Sequence, residues 1–70
     1  MVNNVWELEI ETGGYIGMVV GIRLIAADTP EEAQTISDAH PSYYTWYNPK
    51  MVAGLRAVNK GMLLEKVWEE

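Results

Sequence analysis

The 70-residue chain has no cysteine, no phenylalanine, one histidine and three prolines. Without thiols there is no disulfide framework and no thiolate metal site, which fits a reducing cytoplasm. The catalytic vocabulary is equally thin. A nucleophile would have to be Ser37, Ser42 or a threonine, and nothing beside them resembles a nucleophile elbow. His40 is the one imidazole, and Asp38, two positions away, diverges from it on a helix, so the two do not form a metal pair. His40 reads instead as a helix C-terminal residue facing the last carbonyls. The expectation is a non-enzyme with no cofactor, no metal and no catalytic residues.

Basic residues are scarce: five Lys and Arg against ten Asp and Glu, a net charge of −5. Residues 1–40 hold seven acids and only Arg23, whereas residues 41–70 hold three acids and four bases. The first part is therefore at −6 (1 − 7) and the second at +1 (4 − 3). A long nucleic acid would be repelled, but the second part can accept a small anion. The longest apolar stretch, Tyr15 to Ala27, is interrupted by Arg23 and is shorter than the ~20 residues of a membrane helix. Met1-Val2-Asn3-Asn4 shows no basic start of a secretory leader. A cytoplasmic protein with no membrane contact is expected.

What is present is globular in balance, 49% hydrophobic and 21% charged. Such a chain makes one domain, residues 1–70, near the lower size at which one core suffices. Ordering costs ~1.5 kcal/mol per residue, and with no staple available, self-association into a homo-oligomer is the expected remedy.

Val5 to Thr12 alternates, with Trp6, Leu8 and Ile10 on one face and Glu7, Glu9 and Glu11 on the other. Gly13-Gly14 marks a turn into a second strand, Tyr15 to Ala27. Matching apolar faces across a three-residue loop sets Trp6, Leu8 and Ile10 against Ile22, Val20 and Met18, or one step along. Gly17 or Gly21 should then mark a bend or bulge, or the strand should run on into a neighbouring subunit. Thr29-Pro30-Glu31-Glu32 combines a cap, a first-position proline and a capping-box glutamate, predicting a helix that ends before Pro41. Ser42 to Tyr47 reads as extended. Asn48-Pro49 then predicts a second helix, with Met51, Leu55, Val58 and Met62 at helical spacing and Gly61 at its end, although Gly54 lies inside it. Met62 to Trp68 returns as a strand. The predicted class is α+β, in the order β-β-α-β-α-β, with an N-terminal antiparallel hairpin and two short helices on one face of the sheet.

Two patches stand out. Tyr43, Tyr44, Trp46 and Tyr47 lead into Asn48, Pro49 and Lys50, with Arg56 farther along. Aromatic faces can stack on a base, and a helix N-terminus with Lys50 can hold a phosphate. The leading functional expectation is a homo-oligomeric, non-catalytic protein that sequesters a nucleotide-type ligand there. A virus-encoded counter-defence role would suit such an object. The alternative is a protein-binding inhibitor or adaptor that uses the Tyr/Trp cluster or the acidic face of Glu7, Glu9 and Glu11.

Overall fold

The computed structural model describes residues 2–10 and 19–69. Its elements are β1 (Asn3–Ile10), β2 (Val19–Ala27), α1 (Pro30–Asp38), β3 (Trp46–Ala57) and β4 (Gly61–Glu69). The strands form one sheet in the order β3-β1-β2-β4, every neighbouring pair antiparallel. Glu11, Gly13-Gly14 and Gly17, with the turn and the strand extension expected around them, lie outside the described residues.

α1 begins as the sequence predicts. The Thr29 hydroxyl accepts from the Glu32 backbone N–H at 3.1 Å, with Pro30 in the first turn. Glu32 closes the cap one residue earlier than a capping box does, because its Oε1 accepts from the Asp28 N–H at 2.9 Å. Lys60, just before β4, donates to Glu32 Oε2 at 3.1 Å and pairs with Asp28 Oδ2 at 3.0 Å. The Asp28 N–H, then Lys60, holds the Glu32 carboxyl below its ordinary range, while Asp28 and then Glu32 push the Lys60 ammonium up. A lowered carboxylate stabilises above its unfolded pKa, so this clasp is intact at neutral pH and loosens as pH falls through the carboxylate range.

The second helix is absent; β3 runs through the segment where it was expected. The order is therefore β-β-α-β-β with one helix. Gly54 takes left-handed backbone at φ 80° and interrupts a right-handed helix, and Asn48 at φ 59° departs from the extended backbone of a helix cap. Met51, Leu55 and Val58, the stripe that such a helix would have buried, are 54%, 42% and 73% exposed. β3 instead satisfies the outer backbone groups of β1 and absorbs its irregular residues as bulges. Opposite Glu7 and Glu9, β3 advances from Lys50 to Tyr47, one residue extra around Asn48-Pro49. Between Asn4 and Trp6 it runs from Arg56 to Met51, three residues extra around Gly54. Proline is tolerated here because β3 is an edge strand.

The hairpin register also differs from the expected one. Trp6 lies opposite Ile25, Leu8 opposite Arg23 and Glu9 opposite Ile22. The offset from the expected pairing is odd, so every side chain of β2 changes face relative to β1. Gly21 accordingly marks no bulge. It pairs regularly with Val67 and leaves room under the helix, where an added Cβ would collide with Ile10 and lie 2.8 Å from the Trp46 ring.

The main core cluster lies on the helix side of the sheet, while Val5 and Ala26 are buried on the opposite face. Leu8, Ile10, Ile25, Ala27, Trp46 and Ala33 of α1 are buried together, with Trp6, Val19, Ile36, Tyr44 and Met62 packed around them. Among the described residues there is no second layer on the opposite face.

Candidate functional site

Pairing across the sheet gives the residues of the bare face. One row crosses Tyr47, Glu9, Ile22 and Lys66; the next crosses Lys50, Glu7, Leu24 and Leu64. Toward one end Val20 stands opposite Trp68; toward the other, Val5 and Ala26 are fully buried and close the patch. The face thus has two halves. β1 and β3 present carboxylates, an amide, a lysine and a ring. β2 and β4 present Val20, Ile22, Leu24, Leu64 and Trp68, with Lys66 as the one charge among these positions.

In the polar half, Asn48 Nδ2 donates to Glu9 Oε1 at 3.4 Å, which aims the amide along the carboxylate column. Tyr47 beside it is 40% exposed. Glu7 and Glu9 form no ion pair among the described residues, although Lys50 stands directly across from Glu7. Parts of two patches read separately in the sequence, Tyr47, Asn48 and Lys50 of one and Glu7 and Glu9 of the other, therefore share one surface. Glu11, the third carboxylate read for this face, is outside the described residues.

The remaining aromatic residues lie elsewhere. Tyr43 is 94% exposed and meets Tyr44 edge to face at 5.3 Å. Tyr44 and Trp46 border a cleft of about 230 Å³ on the helix side, lined also by Arg23, Ser37, Asp38, His40 and Ser42. Arg56 pairs with Asn4 at the far end of β3. With residues 46–57 in a strand, the helix amides on which the phosphate expectation relied are not there. Tyr43, Tyr44, Trp46, Tyr47, Asn48, Lys50 and Arg56 do not converge on one site.

The cleft has an unforeseen floor. Arg23 is 1% exposed, with Nε donating to Glu65 Oε1 at 2.7 Å and Nη2 pairing with the same oxygen at 2.6 Å. Nη1 donates to the Ser37 carbonyl at 2.8 Å and to its hydroxyl at 2.9 Å. The guanidinium also lies 4.6 Å from the centre of the Trp46 ring. It therefore caps the C-terminus of α1, where a cation is favoured, and Glu65 neutralises it. A phosphate in this cleft would face Asp38 and helix carbonyls with little free positive charge to meet it. One sequence signal was available for this network: a lone arginine in an apolar strand, and a glutamate in the last strand.

The cleft also brings together Ser42, His40 and Asp38 without the contacts of an activated nucleophile. Ser42 Oγ accepts from the Tyr44 N–H at 3.0 Å and from Trp46 Nε1 at 2.8 Å, and no hydrogen bond joins it to His40 among the described residues. The described residues contain no group of three or more His, Asp or Glu able to hold a metal ion, and no helix long and apolar enough to cross a membrane. Comparison with protein-family models, with curated proteins and with solved structures finds no match to this chain.

Proposed function

We propose that the chain is a non-catalytic binding protein that covers a protein partner with the bare face of its sheet, the β1–β3 half making the polar contacts. The observation that carries this reading is the juxtaposition of Glu7 and Glu9 with Tyr47, Asn48 and Lys50 on a face that has no second layer among the described residues. Tyrosine is favoured at protein interfaces because a rigid ring gives contact area at small entropic cost, and its hydroxyl keeps a polar handle. Carboxylates free of an internal ion pair set the sign of the partner, a segment bearing Lys or Arg with an apolar flank for Tyr47.

The test is amide chemical-shift mapping with a Lys/Arg-rich peptide and with an acidic peptide of equal length. The basic peptide should move Glu7, Glu9, Tyr47 and Lys50, and the acidic one should move none of them. Glu7→Lys with Tyr47→Ala should weaken binding by roughly a hundredfold, as for two central contacts. Shifts confined to Tyr44, Trp46 and His40 would overturn the reading in favour of a ligand in the cleft.

A further inference from the structure

A second copy of this chain fits the aliphatic half of the bare face. We propose that the β2–β4 halves of two copies pack face to face about a two-fold axis lying along the strands. The inference does not rest on the partner-binding reading, with which it shares only Glu9, at the seam between the two halves.

The large apolar side chains divide between the core and the bare face. Val5, Leu8, Ile10, Ile25 and Trp46 are the large hydrophobic residues in the buried core. Val20, Ile22, Leu24, Leu64 and Trp68 share the bare face, Leu64 46% exposed and the others half-buried. A chain of this size with no disulfide has little stability to spare, and a second copy is the one cover present at equal concentration wherever the protein is made.

Charge fixes how two such faces can meet. Flush stacking of whole faces is unfavourable: it sets Glu7 and Glu9 either over their own copies or over the aliphatic column. Shifting the axis to lie between β2 and β4 removes that conflict. β4 of one copy then covers β2 of the other, at the ~10 Å spacing and aligned crossing usual for packed sheets. Rotation about an axis parallel to the strands keeps the rows level. Lys66 therefore arrives over Ile22, one strand (~4.8 Å) from Glu9 in the same row. By symmetry the pair forms twice. Such a patch is at the low end of stable interfaces, ~1,000–1,200 Å² in total, so dissociation should fall in the micromolar range.

Sedimentation of the full chain over a micromolar-to-millimolar series tests this, with circular dichroism confirming the fold of each variant. The wild type should dimerise, and Ile22→Lys should weaken the dimer by roughly a hundredfold. Lys66→Glu should weaken it by about tenfold, and Glu9→Lys added to Lys66→Glu should restore the wild-type constant within about threefold. The surface lysine is not part of the core, so its variant separates association from folding. A wild type that stays monomeric at millimolar concentration overturns the proposal. So does a dimer indifferent to Ile22→Lys, or a double charge swap no better than Lys66→Glu alone.

Discussion

Replacing Glu65 with alanine should cost about 2–4 kcal/mol, although its carboxylate is 39% exposed and sits on an edge strand. Ordinary surface substitutions stay within about 0.5 kcal/mol, so the expected effect is several times the background. The reason is the partner. Arg23 is 1% exposed, and Glu65 is its counter-ion; removing the carboxylate leaves a buried guanidinium with only Ser37 and the face of the Trp46 ring to hold it among the described residues. The loss falls short of the ~3–5 kcal/mol seen for a fully buried pair because water reaches the Glu65 side. In a domain this small, each kcal/mol shifts the melting temperature by about 4–8 °C, so a fall on the order of 10–30 °C is expected. Replacing both partners together, Arg23→Met with Glu65→Leu, should restore most of the stability, since no charge is then stranded. Urea denaturation of the three variants checks this. A single Glu65→Ala within the surface range would show that Arg23 does not depend on it.

Trp46→Ala should cost about 3–5 kcal/mol, comparable to the whole stability of a domain of this size. Trp46 is 4% exposed and fills the space that Gly21 leaves open, against Ile10 and beneath the Arg23 guanidinium. Its Nε1 donates to Ser42, tying the chain before β3 to the core. Far-UV circular dichroism should show an unfolded or barely folded variant. Trp46→Phe keeps most of the bulk and loses the hydrogen bond, at about 1 kcal/mol, so it should fold. The stacking role read from the sequence demands the opposite, an alanine variant with an intact fold. A native spectrum for Trp46→Ala would show that the ring does not hold the core together.

Local chemistry was legible in the sequence where single residues decide it. Thr29, Pro30 and Glu32 start α1 as their types require, and the alternation of Trp6, Leu8 and Ile10 with Glu7 and Glu9 gives β1 and its two faces. The third segment was misread because Met51, Leu55 and Val58 fall at helical spacing by coincidence of a bulged strand. Gly54 was the contrary signal, and its left-handed backbone prevails. The face of β2 was misread for a different reason. Alternation ranks faces by greasiness, but the helix needs a small residue beneath Trp46 and an arginine at its C-terminus, so Gly21, Arg23 and Ile25 turn inward. The richer aliphatic set turns outward. The candidate site shares this history. Glu7, Glu9 and Tyr47 were each legible as surface residues with a use, but Lys50 reaches the row of Glu7 only through the bulge at Asn48-Pro49, which no periodicity records.

The claim on which the account turns is that the molecule meets others through its bare face and not through the cleft. Three tryptophans report on this separately: Trp68 stands on the bare face, Trp46 in the core beside the cleft, and Trp6 on the helix side. Fluorine NMR of fluorotryptophan-labelled protein, recorded through a dilution series, tests it most directly. The account predicts one resonance that moves with concentration, assigned to Trp68 by its loss in Trp68→Tyr, while those of Trp46 and Trp6 stay fixed. A moving Trp46 resonance beside a stationary Trp68 would contradict it.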